Sequence, residues 1–202
     1  MEKLLDLSSC KTQEDFGKKF EEIAEKLLLE YQIVKDGKLY YYINEIEFYY
    51  YCENHKDIYA HPHFYEKDGD FRIHFSGIDI TFASNIQGIK DQLPSLYESK
   101  NNPTLSYCQL SKAIENKHDA RYGGILIRAI EGVNNKTIDG PCVSLCELLH
   151  MNASKTVKLE LKECKKRNVH YQAPSERELN NNIGDKDSDC FRQAKYRFCI
   201  SR

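Results

Sequence analysis

A chain of 202 residues with 41% hydrophobic and 30% charged residues is long enough to bury a sizeable core and too apolar to be disordered. Its formal net charge of −2 gives no general attraction to nucleic acid. No stretch approaches the roughly 18 apolar residues that a membrane helix requires, so no membrane association is expected.

The first ten residues, MEKLLDLSSC, carry acidic groups and no long apolar run, which argues against a signal peptide. Residues 12 to 29, TQEDFGKKFEEIAEKLLL, predict an amphipathic helix. Phe16, Phe20, Ile23, Ala24, Leu27 and Leu28 recur at three- and four-residue spacings, and Thr12 is placed to cap the start. Asp36-Gly37 marks a turn. LYYYINEIEFYYY then predicts a long strand, with Ile46 and Phe48 on one face and Glu45, Glu47 and Tyr49 on the other.

EKDGD is a second turn, and FRIHFSGIDITFAS predicts a strand pair or a bulged strand bent at Gly77. Residues 84 to 121 form a polar excursion in which SLYESK and LSKAIENK are expected as short helices. YGGILIRAIE is a strand dense in branched apolar residues with one arginine inside it. GPCVSLCELLH predicts a helix with proline at its start, LELKECKKR another helix, residues 172 to 189 a loop, and YRFCI a closing strand. No internal repeat or linker divides the chain, so a single domain is expected.

Eight cysteines occur without a CxxC pair. A chain of this size folds without disulfide staples, so reduced thiols in a cytoplasmic or nuclear setting are expected. Cys142, Cys146 and His150 share a helical spacing but supply three ligands where a closed zinc site wants four, and buried structural cysteines are expected instead. His61 and His63 form an HxH pair without a supporting carboxylate or cysteine, and are expected as loop histidines and not as metal ligands. From Lys155 to Arg202 there are twelve Lys plus Arg against seven Asp plus Glu. Such a basic quarter suits phosphate contact or a solvated surface.

Arg128 lies within an apolar strand, and a buried charge without a partner is costly. Glu47 is its natural partner. Paired, the arginine would hold the carboxylate in one rotamer and keep it ionised, able to activate a water. A structural ion pair satisfies the same pattern. Glu45 and Glu47, about 7 Å apart on a regular strand, also fit the separation of a two-carboxylate hydrolase, or an ordinary polar strand face. No phosphate-cradling glycine loop or nucleophile elbow is present.

The ordered segments INEIEFYY, DIYAH, GDFRIHFSG, GGILIRAIEG, GPCVSLCELLHMN and RQAKYRFCI together resemble the alkyladenine (3-methyladenine) DNA glycosylases. The resemblance runs over most of the chain, is loose across the first forty residues, and fails between 84 and 121. It implies a single α+β domain with helices flanking a curved antiparallel sheet, no cofactor or metal, and hydrolysis of the N-glycosidic bond of a damaged purine after base flipping. It places the water-activating glutamate at Glu47, the supporting arginine at Arg128, a pocket tyrosine at Tyr49 and a pocket histidine at His61. Base-contacting positions fall at Ile73, where the family stacks an aromatic, and at Ser76, where it inserts a tyrosine into the duplex. Its discriminating asparagine is replaced by Ala83.

Serine at position 76 lacks the wedge for duplex extrusion. The expected substrate is therefore a modified purine in single-stranded or already extrahelical DNA, or a free nucleoside, handled by a monomer. The alternatives are a non-catalytic module that kept the pocket for a nucleotide or nucleic acid, and a structural protein in which the 84–121 insertion makes the contacts.

Overall fold

A computed structural model describes residues 1–74, 76–87, 114, 117–132, 134–149, 156–179 and 189–201. Its helices are α1 (Glu2–Leu5), α2 (Gln13–Glu30), α3 (Pro141–Leu149) and α4 (Asp189–Arg192). The strands are β1 (Tyr31–Lys35), β2 (Leu39–Cys52), β3 (His55–Lys56), β4 (Phe71–His74), β5 (Gly77–Phe82), β6 (Tyr122–Glu131), β7 (Thr137–Asp139), β8 (Leu159–Glu163) and β9 (Arg197–Cys199). All pair antiparallel in one sheet of order β4-β5-β6-β2-β1-β8, with β3 and β9 joined to β2 and β7 joined to β6. The sheet curls into a half-barrel, giving the expected α+β class in one domain.

Helix α2 fills the inside of the curl. Thr12 and Asp15 form a reciprocal capping box at its start. Its predicted stripe is buried: Phe20 stacks on Phe48 with ring centroids 4.6 Å apart and meets Tyr196 edge-on at 5.0 Å. Phe48 meets Phe198 edge-on at 5.4 Å. These rings join α2, β2 and the C-terminal strand in one core.

Strand β2 is central, and it is not regular. Tyr41 and Ile43 face the core, and so do Ile46, Phe48 and Tyr50. Strict alternation cannot produce both sets. The register with β6 explains it: Ile43 pairs with Ile130, Glu45 with Ala129, and Ile46 with Ile127. Asn44 is therefore an extra residue on β2 and Arg128 an extra residue on β6, two offsetting bulges that keep both strands in phase. Arg167 braces the spot, donating to the Ile43 carbonyl (3.1 Å), the Asn44 side chain (3.0 Å) and Glu131 (3.2 Å). On the other edge of β2 the partner changes here, from β1 to β9.

Three expectations need correction. LELKECKKR is not helical: Leu159–Glu163 is an edge strand pairing residue for residue with β1. Beyond it, Cys164 and Arg167 donate their amides to Glu30 and Leu29, satisfying the last carbonyls of α2. That pairing covers an open sheet edge, which a separate helix would leave bare. Cys142 and Cys146 are exposed on α3 and not buried, while Cys10 is buried. The predicted 172–189 loop is in part extended, bridging Ser175 to Arg197 beside Tyr171 bridged to Ile200. The helices expected at SLYESK and LSKAIENK, and His150, lie outside the described residues, save for Ile114 and Lys117 in the second segment.

Candidate functional site

On the face of β2 opposite α2, alternation sets Glu45, Glu47 and Tyr49 in a row, and the β6 bulge turns Arg128 toward them. Arg128 donates through Nε to Glu45 (2.9 Å) and through Nη1 to Glu47 (3.3 Å). The pair anticipated between Glu47 and Arg128 thus exists, in a larger network. Arg197 on β9 donates to the same Glu45 oxygen at 2.7 Å. The outer nitrogens of both arginines converge on Glu178, Arg128 through Nη2 and Arg197 through Nη1. Three carboxylates thus share two guanidinium groups.

Glu47 is sealed. Its Oε1 accepts the Glu178 amide at 2.9 Å, and its Oε2 accepts the Tyr49 hydroxyl at 2.6 Å beside Arg128. Its side chain has 0% exposure. Tyr49 is itself committed. Burial, and then the Glu47 charge, push its hydroxyl well above the usual tyrosine range, so it stays a donor.

The residue that closes this side is Arg177. Its guanidinium lies 4.8 Å from the Tyr49 ring centroid and 5.4 and 5.5 Å from those of Tyr59 and Tyr196. It pairs with Asp57 at 2.7 Å, both side chains at 0% exposure, and also donates to the carbonyls of Phe48 and Phe191. Burial opposes its charge, and Asp57 outweighs that and raises its pKa. The bridges from Tyr171 and Ser175 lay the 171–178 segment along the C-terminal strand, and Arg177 anchors its end to Asp57, Phe48 and Phe191, which delivers the neighbouring Glu178 amide to Glu47.

The remaining predicted site residues make contacts outside this network. His61 sits beside His74, ring centroids 6.0 Å apart, and its carbonyl accepts from Arg72. Burial first, then His74 and Arg72, push it down to about 4. His63 is also buried and at about 4, its Nε2 donating to the Gly123 carbonyl at 2.8 Å and its Nδ1 accepting the Tyr65 amide. Ile73 is 53% exposed on the edge strand β4. Ser76 lies in the β4–β5 turn, where its amide donates to His74 Nδ1 and its carbonyl faces Cys142. Ile73 and Ser76 thus belong to the hairpin beyond β6. Ala83 donates its amide to Asp68.

Among the described residues no His, Cys, Asp and Glu cluster is arranged to hold a metal. A cavity of about 550 Å³ opens among Pro62, His63, Phe64, Tyr65 and Arg72, and its lining includes neither Glu47 nor Tyr49.

The structure therefore joins Glu45, Glu47, Tyr49 and Arg128, each singled out in the sequence, and adds Asp57, Arg177, Glu178 and Arg197. The argument that singled out Arg128, a charge inside an apolar strand, applies equally to Arg197 in YRFCI. Asp57 stands in DIYAH beside the marked histidines. Nothing local marks Glu178, which reaches the site through long-range pairing.

Compared with known proteins, the chain matches no family model, no curated protein and no solved structure.

Proposed function

We propose that this chain is a non-catalytic binding module for a phosphate-bearing ligand, a nucleotide or single-stranded nucleic acid, on a scaffold similar to the alkyladenine glycosylases. The observation that carries the reading is the sealing of Glu47. A general base must reach the water it activates within hydrogen-bonding distance, and this carboxylate has no exposed surface and donors on both oxygens. A pocket tyrosine must offer a ring face to the base, and Arg177 covers one face of Tyr49. Binding is supported by the cationic last quarter of the chain and by Arg128 and Arg197, whose outer nitrogens face an exposed group.

The test is single-turnover base release from alkylated and deaminated purines, in single strands and duplexes, beside thermal-shift titration with the same oligonucleotides and with nucleotides. The expected outcome is a raised Tm with no released base. Release by the wild type that is lost in Glu47→Gln refutes the reading.

A second reading, Glu47-dependent N-glycosidase action on a modified purine in single-stranded DNA or a nucleoside, is favoured by one contact, the Arg128–Glu47 pair. It requires Glu178 to move aside and let water reach Oε1. Base release by the wild type that disappears with Glu47→Gln would establish it as a DNA-glycosylase-like hydrolase.

A further inference from the structure

Arg128 and Arg197 are fixed from behind. Each donates to Glu45 Oε1, Arg128 adds a bond to Glu47, and the two side chains are only 13% and 23% exposed. What remains outward is one nitrogen from each, and both point at the same place. A pair of immobilised guanidinium ends converging on one point has the form of an oxyanion receptor, because the entropy of arranging the donors is already spent.

The group at that point is the Glu178 carboxylate, with one oxygen on each arginine and a side chain 57% exposed. Burial works to raise its pKa, and Arg197 and Arg128 outweigh it and lower it, so the occupant is an anion. Its hold is also separable from the rest of the fold. The backbone of 175–178 is anchored by Arg177 and by the Ser175–Arg197 bridge, neither of which uses the Glu178 side chain. That side chain can rotate into solvent without disturbing Glu47, whose bond is to the Glu178 amide.

We propose that Arg128 and Arg197 form a phosphoryl-binding fork in which Glu178 is an internal, displaceable occupant. The proposal rests on the binding reading above and names its site. A phosphoryl group presents oxygens to both arginines as Glu178 does, and Glu45 and Glu47 remain behind as the counter-charges that keep the guanidinium groups in place. Glu178 then tunes affinity as a competitor tethered at high effective concentration.

The experiment uses calorimetric titration of inorganic phosphate, a deoxynucleoside 5′-monophosphate, and an oligothymidylate lacking terminal phosphates. The proteins are wild type, Glu178→Gln and Glu178→Gln/Arg197→Lys. The monophosphate and the oligonucleotide distinguish a terminal phosphate from a backbone diester as the natural source. Removing the competitor is expected to tighten at least one of them about tenfold, the gain when the fork is free in about a tenth of wild-type molecules. Arg197→Lys, which keeps the charge but loses the planar fork, is expected to cancel that gain.

Thermal unfolding of each variant confirms that the fold is intact. If Glu178→Gln perturbs it, Glu178→Lys reads the same site by the opposite route, since a tethered cation no longer competes and adds attraction. Phosphate-bearing probes that bind wild type and all variants alike overturn the fork and leave the binding reading standing. Failure of every probe to bind any variant overturns both.

Discussion

Asp57→Asn should be among the most damaging single-atom changes available to this protein. Asp57 accepts Arg177 Nη1 at 2.7 Å and Nη2 at 3.3 Å, and also receives the Tyr59 amide at 3.1 Å. Neither side chain of the pair touches solvent. Asparagine preserves the shape and leaves the arginine charge buried without a counter-ion, which costs about 3–5 kcal/mol when one partner of such a pair is removed. For a domain of this length that is a fall in Tm of about 6–20 °C, taking about 2–4 °C per kcal/mol. Urea unfolding of the two proteins measures the difference directly.

The double variant Asp57→Asn/Arg177→Met should recover most of the loss, because the methionine removes the stranded charge. It also removes the Arg177 Nε, which is buried with no partner. Hydrogen exchange supplies an independent reading. The Glu178 amide, bonded to Glu47 and held there by Arg177, should lose protection in Asp57→Asn well beyond the change in global stability. A loss below about 1 kcal/mol, or a Glu178 amide that keeps its relative protection, would refute the claim that this pair holds the site closed.

His61 and His63 are neutral when folded, with pKa values pushed down to about 4, mainly by burial. Because the unfolded chain binds protons on them near pH 6.5 and the folded chain does not, stability falls as pH drops from about 6.5 toward 4. His63→Gln, which keeps a donor toward the Gly123 carbonyl, should flatten that slope by up to about 1.4 kcal/mol per pH unit in urea titrations; an unchanged slope would exclude His63 as its source. Gly123→Ala should cost about 3 kcal/mol or more. The added methyl carbon would stand 2.3 Å from the Tyr49 carbonyl oxygen and 2.8 Å from the Tyr50 Cα, backbone that cannot yield. A soluble variant with wild-type Tm would contradict this. Thr12→Ala, breaking the capping box of α2, should cost about 1 kcal/mol by the same assay, and a neutral result would show that packing alone fixes the helix start.

What the sequence reveals and hides follows from the range of the forces. Helix α2, β2, β6 and α3 are written in local periodicity, and a long amphipathic pattern allows few alternatives. The Glu47–Arg128 pair was legible for the same reason: a charge in an apolar strand requires a partner, and few candidates exist. Residues 159–167 failed because Lys and Glu suit a helix, while the open edge of β1 selects a strand at a distance. Glu178 and Arg177 failed for want of any local pattern, since a segment near the C-terminus reaches β2 only once β9 has paired. Arg177 is the instructive case: it sits in a run predicted as loop, yet its side chain has no exposed surface.

The paired bulges at Asn44 and Arg128 also constrain how the gene can change. Losing one codon near Asn44 would leave β2 in unbroken alternation, with Tyr41, Ile43, Ile46 and Phe48 still on one face, but opposite a β6 that keeps its own extra residue at Arg128, so the offset that the two bulges cancel would stand uncorrected. Repair would need a second lesion, the loss of one codon at Arg128, and that second step would delete the arginine that unites Glu45, Glu47 and Glu178. Single-residue length changes here are barred in either strand alone, and the joint change that rescues the sheet abolishes the charge network. Descendants of this chain should therefore vary freely in the length of their loops while holding these two strands to a fixed count.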